Sequence, residues 1–199
     1  LLISPLCTCN LWGQSFTVVI DAGHGGHDPG AIGKISKEKN INLNVALKLG
    51  NLIKKNCDDV KLVYTRTKDV FIPLDRRAEI ANNAKADLFI SIHTNALANN
   101  RTAKGASTWT LGLAKSDANL EVAKRENSVI LYESDYQTRY AGFNPNSAES
   151  YIIFEFMQDK YMEQSVHLAS LVQKQFRHTC SRVDRGVHQA GFLVLKASA

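Results

Sequence analysis

Short apolar runs alternate with amphipathic segments through the first half of the chain, and this alternation limits the folds that it can adopt. Phe16–Ile20, Val60–Tyr64 and Leu88–Ile92 have the β-branched and apolar composition of strands. Apolar residues recur at helical spacing in Glu38–Lys55 and Leu74–Ala84. The alternation predicts an α/β fold: a single domain with an open, mostly parallel, twisted sheet, whose right-handed crossovers place helices on both faces.

The second half of the chain continues this pattern with a longer connection in its middle. We predict a strand over Gly105–Leu111, a packed helix over Tyr161–Arg177 and a last strand over Gly191–Leu195. Lys115–Asp159 is longer than a connection needs to be, and Lys115–Tyr140 within it is charged with a helical period. We therefore predict a helical insertion over about residues 115–159, within a domain that spans residues 17–199.

The composition fits one ordinary domain. The 199 residues are 44% hydrophobic, and four cysteines are too few for a disulfide scaffold. The formal net charge of +5 permits nucleic acid, an acidic membrane surface or a cell-wall polymer as an anionic partner. The basic pairs Lys54-Lys55, Arg76-Arg77 and Lys124-Arg125 have no aromatic residues between them, so we exclude a nucleic-acid groove.

The start of the chain has no charged side chain as far as Ile20. Apolar Leu1–Leu6 is followed by small or polar residues, so we predict that residues 1–16 are a signal-peptide remnant; a buried strand is the alternative. We find no transmembrane anchor in the sequence, because no segment is long and apolar enough. We therefore expect an exported protein of the periplasm, the cell envelope or the extracellular space, where Cys57 and Cys180 either pair or stay buried.

Three polar residues lie where predicted strands end or a helix begins. His24 follows the first strand in a glycine-rich turn, His93 follows the third strand, and Glu38 begins the first helix. Because the carboxyl ends of parallel strands face one crevice, these residues can converge. Two histidines and a glutamate are a ligand set of catalytic zinc, although iron(II) accepts the same types and a strand-end histidine is often only structural. Gly25-Gly26 lacks the spacing of a phosphate-binding turn.

These three residues belong to a series of motif blocks whose order and spacing resemble those of the zinc-dependent N-acetylmuramoyl-L-alanine amidases of the cell-division type. The resemblance covers about residues 17–112 and 186–196. It implies that His24, Glu38 and His93 bind one zinc ion, whereas His27 falls at a variable position. The blocks are Val18–Ala31, Glu38–Leu43, Thr65-Arg66, Asp69, Pro73-Leu74, Arg77 and Ala86–Ala96.

The resemblance implies hydrolysis of the amide bond between N-acetylmuramic acid and L-alanine in peptidoglycan. Zinc would polarise the carbonyl group and lower the pKa of its bound water, while a glutamate acts as general base and then protonates the leaving amine. In the family this glutamate follows a block that matches Gly191–Leu195, so we expect it beyond Ala199 and predict no catalytic residue within the chain. The chain is then truncated at both ends and hydrolyses poorly as given; an inactive homologue is the alternative.

Cell-division members of the family carry a plugging helix at the position of the predicted insertion, and a coiled-coil activator removes it. Asn119–Glu133 matches that helix in position. Glu121, Glu126 and Glu133 are the candidates for an autoinhibitory contact in which a carboxylate stands in as a metal ligand. A plain surface helix is the alternative interpretation.

Two other functions fit the same ligands. One is a zinc peptidase that cuts within the stem peptide. The other is a non-catalytic peptidoglycan-binding module, which applies if no glutamate follows residue 199. In each case we expect peptidoglycan as the partner of a monomeric protein.

Overall fold

The computed structural model describes residues 15–95, 102–155 and 161–198. Nearly all of the predicted signal-peptide remnant, together with residues 156–159 of the predicted insertion, lies outside these residues. The elements in chain order are β1 (Phe16–Ala22), α1 (Glu38–Asn56), β2 (Val60–Tyr64), α2 (Leu74–Asn83), β3 (Leu88–Ile92), β4 (Ala106–Leu111), α3 (Asp117–Asn127), a 3-10 helix (Ser128–Tyr132), α4 (Tyr136–Arg139), a second 3-10 helix (Ala148–Glu155), α5 (Met162–His178), β5 (Asp184–Ala190) and α6 (Leu193–Lys196).

Parallel pairing organises the strands. β1 lies between β2 and β3, and the register places Val19 beside Val63 on one side and Phe89 on the other. β4 and β5 also pair in parallel, with an irregularity between Ala106 and Thr108. The predicted α/β domain with mostly parallel strands is confirmed. Within the described residues, its strands form a three-stranded and a two-stranded hydrogen-bonded group.

Two apolar clusters hold the elements together. In the first, α1 packs through Ala46 and Leu43 on Val18 and Ile20 of β1. The alternation of side chains along β1 produces this contact, because every second residue faces the helix. The second cluster contains buried Leu111, Ile130, Phe154 and Phe192, and Trp109 packs against it. It joins β4 and the segment after β4 to the residues that follow β5.

The predicted strand over Gly191–Leu195 is wrong. The last strand is the more polar β5, and the apolar residues that follow it begin the short helix α6. A short apolar run is compatible with either a buried strand or a buried helix, and tertiary packing decides between them. Here Leu193 and Val194 are buried in the second apolar cluster.

The segment predicted as an insertion contains α3, both 3-10 helices and α4. Ser116 caps α3, because its hydroxyl oxygen accepts a hydrogen bond from the Asn119 amide at 3.2 Å. In the described part of the chain, no helix has the length and apolar character that a membrane crossing requires. Cys57 and Cys180 are free thiols.

Gly50 provides a test of how α1 packs against β2. A methyl group at this buried position would overlap the Tyr64 hydroxyl and ring. We expect Gly50→Ala to lower the free energy of unfolding by about 1–3 kcal/mol, the usual cost of overpacking. Urea denaturation of the purified chain measures this change.

The control is the same substitution in a Tyr64→Val background. There Gly50→Ala should raise stability by up to about 1 kcal/mol, because alanine is the better helix former. Equal losses in both backgrounds would contradict the packing described for this contact.

Candidate metal centre

The pairing of β1 with β3 brings two histidines together. Ala22 lies opposite Ile92 in the register, and the Gly23 amide donates a hydrogen bond to the Ile92 carbonyl at 3.0 Å. His24 and His93 therefore leave adjacent strands at the same end of the sheet. Their ring centroids are 4.8 Å apart, in an edge-to-face arrangement.

The turn after β1 is shaped to admit both rings. A side chain at Gly23 would overlap the His93 imidazole, so only glycine allows this close approach. His24 itself has a φ of 63°, a left-handed conformation that is uncommon for a residue with a Cβ atom. The Arg77 guanidinium supports this conformation, because its Nη2 donates to the His24 carbonyl at 3.0 Å.

Glu38 reaches the same point from the first turn of α1. Its Oε2 lies 3.4 Å from His24 Nε2, and its Oε1 lies 3.4 Å from His93 Nδ1. Two backbone amides hold the carboxylate in place: Ala31 donates to Oε2 at 2.9 Å and Thr94 donates to Oε1 at 2.7 Å. The three residues predicted as metal ligands are thus in mutual contact.

A fourth group, Glu126, enters the cluster from α3. Its Oε2 lies 3.0 Å from His93 Nδ1 and 3.5 Å from His24 Nε2. One ligand atom from each of His24, Glu38, His93 and Glu126 lies within 4.8 Å of the others. The four groups supply the nitrogen and oxygen ligands that zinc accepts in a tetrahedral site.

The other two glutamates of the predicted autoinhibitory segment make different contacts. Glu121 is exposed and forms an ion pair with Lys124 at 2.9 Å on the same helix. Glu133 accepts a hydrogen bond from the Tyr140 hydroxyl at 3.0 Å and lies 3.3 Å from the Arg139 guanidinium. His27 stacks on Phe71, with ring centroids 4.1 Å apart.

Two buried atoms in the cluster have no hydrogen-bond partner. They are His24 Nε2 and Glu126 Oε2, which face each other across the centre of the cluster. Burying a polar atom without a partner costs free energy, so such atoms point to a bound group. A divalent cation at this centre would satisfy both, and the four donors therefore fit a metal ion.

Electrostatics within the cluster also favours a cation. Burial by itself lowers the pKa of His24, but the hydrogen bond to Asp28 and the contacts with Glu126 and Glu38 raise it to about 11. Burial likewise opposes a charged His93, yet Glu126 and Glu38 raise its pKa to about 9. The pKa values of Glu38 and Glu126 are well below the usual range, because the imidazoles outweigh the effect of burial. A cation at this centre would replace protons on the imidazoles.

A buried ion pair lies beneath the histidines. Arg77 donates to the Asp21 carboxylate at 2.8 Å, and the hydroxyls of Thr65 and Ser91 donate to the same carboxylate at 2.6 Å each. Burial raises the pKa of Asp21, but Arg77 and the hydroxyl groups outweigh this effect and lower it. Arg66 donates to the carbonyl groups of Ala22 and Gly23, so both guanidiniums brace the turn that carries His24.

Sequence reasoning assigned no role to three polar residues that support the cluster. Asp28 accepts a hydrogen bond from His24 Nδ1 at 2.7 Å. Asn42 lies one turn after Glu38 and donates to the Gly23 carbonyl at 3.3 Å, while the Thr94 hydroxyl donates to Asn42 at 2.8 Å. All three belong to the motif blocks, and a buried polar residue within such a block is the signal that could have identified them.

Comparison with known proteins identifies the family. The family model for N-acetylmuramoyl-L-alanine amidase, Amidase_3, matches residues 18–199. The chain is 34% identical over 188 residues to the amidase AmiA of Escherichia coli K12, a match that covers 93% of this chain and 62% of that protein. This chain belongs to the N-acetylmuramoyl-L-alanine amidase family.

Solved structures of amidases share the fold. The amidase from Clostridium difficile 630 superposes with a TM-score of 0.62 at 31% identity, over 94% of this chain and 75% of that one. The catalytic domain of the amidase CwlV from Bacillus (Paenibacillus) polymyxa gives a TM-score of 0.60 at 26% identity, over 92% and 75% of the two chains. The amidase chain described here spans less than two thirds of AmiA.

The buried ion pair yields a stability test. Arg77→Met would leave the Asp21 carboxylate buried without its counter-ion, and we expect a loss of about 3–5 kcal/mol in the free energy of unfolding. Arg76→Met is the matched control, because the neighbouring Arg76 pairs with Glu79 on the exposed face of α2. Urea denaturation should show an unchanged midpoint for the control, whereas equal midpoints for the two variants would contradict the role assigned to Arg77.

Proposed function

We propose that this chain is the zinc-binding catalytic domain of a hydrolase that cleaves the amide bond between N-acetylmuramic acid and L-alanine in peptidoglycan. The observation that carries the proposal is the convergence of His24, Glu38 and His93 in a member of the amidase family. Each ligand comes from a different part of the chain; Asp28 holds His24, and two backbone amides hold Glu38. Such preorganisation is what a catalytic metal site requires.

We assign one zinc ion to His24 Nε2, His93 Nδ1 and Glu38. Bound zinc supplies a Lewis acid that polarises the scissile carbonyl and makes its bound water a stronger acid. The two amides that bind Glu38 keep its carboxylate oriented toward the imidazoles. Following the family resemblance of the Gly191–Leu195 block, we propose that the general base is a glutamate beyond Ala199.

We also propose that α3 is autoinhibitory. Glu126 lies beside both imidazoles, so its carboxylate would take the fourth coordination position that a catalytic zinc site leaves to water or substrate. The neighbouring Asn127 is almost fully buried and anchors the helix: its side chain donates to the Gly191 carbonyl at 2.7 Å and accepts from the Leu193 amide at 2.9 Å. These bonds hold Glu126 beside the two histidines, and we expect substrate access to require displacement of α3. A coiled-coil activator is the partner proposed for this step.

The cellular setting belongs to the same proposal. We propose an exported, monomeric protein of the periplasm or cell envelope, because the charge-free start of the chain is typical of a secretory signal peptide and the family acts on peptidoglycan. The net charge of +5 suits an anionic cell-wall polymer.

Removing one ligand tests the metal site. His93→Ala should abolish stoichiometric zinc binding, because it leaves His24 as the one imidazole of the cluster beside the carboxylates of Glu38 and Glu126, one ligand fewer than a tetrahedral site needs. The control is His167→Ala, which removes an exposed histidine on α5. Zinc content after dialysis, measured by atomic absorption, should fall only in the first variant. Retention of full zinc by His93→Ala would show that the assigned site is wrong.

Removing the carboxylate of Glu126, the fourth group of the cluster, tests autoinhibition. Glu126→Ala should open one coordination position, so a chelator should extract zinc several-fold faster and the protein that contains this chain should hydrolyse peptidoglycan faster without an activator. Glu121→Ala is the matched control, because Glu121 lies exposed on the same helix, pairs with Lys124 and belongs to none of the four groups of the cluster. The autoinhibition proposal fails if the Glu126 and Glu121 variants match wild type in both measurements.

Product analysis separates the amidase from the alternative zinc peptidase. Digestion of purified muropeptides by the full protein should release intact stem peptides with free L-alanine amino termini. Shortened stem peptides would instead favour the peptidase. If Glu126→Ala holds stoichiometric zinc, releases it faster to a chelator and still forms no product, the result would favour a non-catalytic binding module.

A further inference from the structure

Asp28 is a buried carboxylate whose two oxygens are both engaged by the turn that carries His24. It is 3% exposed, and its Oδ2 accepts a hydrogen bond from His24 Nδ1 at 2.7 Å. Its Oδ1 accepts the Gly30 amide at 3.0 Å. The backbone groups of Asp28 and Gly25 also bond each other in both directions, at 3.0 and 3.1 Å. Asp28 is therefore fixed in position independently of His24.

The hydrogen bond determines which nitrogen of His24 carries a proton. The Asp28 carboxylate accepts from His24 Nδ1 as it does from the Gly30 amide, so the hydrogen between these groups belongs to Nδ1 of the imidazole. When a cation replaces the other proton of the ring, the lone pair that binds the cation is on Nε2. This is the atom that is buried without a hydrogen-bond partner and that lies 3.4 Å from Glu38.

The hydrogen bond between Asp28 and His24 also helps to hold the unusual backbone conformation of His24. His24 adopts its left-handed conformation between two restraints: Asp28 binds its ring, and Arg77 binds its carbonyl group. Left-handed residues other than glycine persist when their surroundings over-determine them. Rotation of the ring would break the bond to Asp28 and turn Nε2 away from Glu38.

We propose that Asp28 is a positioning residue for the metal centre, one that selects the Nδ1–H tautomer of His24 and aims Nε2 at the cation. This inference rests on the proposed zinc site and adds to it a residue that does not touch the metal. His24 faces the centre with Nε2, whereas His93 faces it with Nδ1, so the two histidines would bind through different ring atoms. Loss of Asp28 should therefore disturb His24 and leave the ring of His93 in place.

Asp69, in the segment between β2 and α2, offers a comparison because it also contacts this turn. Its oxygens accept hydrogen bonds from the Gly26 amide at 2.8 Å and from Lys39 at 2.6 Å, so it braces the turn without contacting His24. A variant of Asp69 removes one carboxylate contact to this turn and should loosen the backbone nearby. It separates general loosening of the turn from loss of the contact with the imidazole.

The experiment compares zinc affinity and histidine tautomers in Asp28→Ala, Asp28→Asn and Asp69→Asn, with zinc affinity measured by competition against a chromophoric chelator. Asp28→Ala should bind zinc about 10- to 100-fold more weakly than wild type, the usual effect of removing such a partner. Asp28→Asn keeps a neutral acceptor and should show a smaller loss. Asp69→Asn should bind with unchanged affinity.

Nitrogen-15 NMR of the histidine rings in zinc-free protein gives a second readout that a purely structural role would not move. In wild type, His24 should show a protonated Nδ1 whose hydrogen resonates far downfield. This signal should move upfield in Asp28→Asn, while the His93 signals keep their positions. If Asp28→Ala does not fold, Asp28→Asn supplies both measurements.

The outcomes distinguish the positioning role of Asp28 from the zinc site on which that role rests. If His93→Ala keeps full zinc, the metal site itself is wrong. If His93→Ala loses zinc while both Asp28 variants retain wild-type affinity, the positioning role is overturned and the metal site stands. The role is also overturned if Asp69→Asn weakens zinc binding as much as Asp28→Asn does, or if the His24 signal is unchanged in Asp28→Asn.

Discussion

The parallel register between β1 and β3 is the constraint on which the site depends. Because Ala22 lies opposite Ile92, the two strands end together, and the residues that follow them lead directly into the cluster. A slip of one residue would turn the side chains of β3 to the opposite face and separate His93 from His24. The apolar face that α1 covers fixes this register and also brings Glu38, at the start of α1, to the same edge of the sheet.

Charge is concentrated below and within this edge, where each buried charged group described faces a group of opposite sign or a carbonyl oxygen, although His24 Nε2 and Glu126 Oε2 lack a hydrogen bond. Asp21 neutralises Arg77, while Arg66 bonds carbonyl groups at the end of β1. Above them, Glu38 and Glu126 surround two imidazoles. Breaking such pairs leaves a buried charge uncompensated, whereas complete networks restrict the chain to one arrangement. This rigidity suits a site that must hold its ligands before the cation arrives.

Much of this arrangement could be predicted from the sequence. The apolar periodicity gave the bounds of β2 and β3, and the position of His24, Glu38 and His93 at element ends predicted that they could converge. The sequence could not predict the supporting contacts, because Asp28 and Asn42 act through hydrogen bonds that only the folded turn defines. Glu126 could not be singled out from Glu121 and Glu133, since the rotation of α3 depends on Asn127 and its distant partners in the segment after β5. The same segment misled the strand prediction, because apolar residues pack equally well from a short helix.

The central claim is that one zinc ion binds between His24, His93 and Glu38. Anomalous diffraction at the zinc edge, from crystals of the zinc-loaded protein, locates the ion without reference to activity. A single peak should lie about 2.0–2.2 Å from His24 Nε2, His93 Nδ1 and a Glu38 oxygen, the distances typical of zinc with nitrogen and oxygen ligands. A peak elsewhere on the protein, or a peak that lacks either histidine as a ligand, would contradict the account.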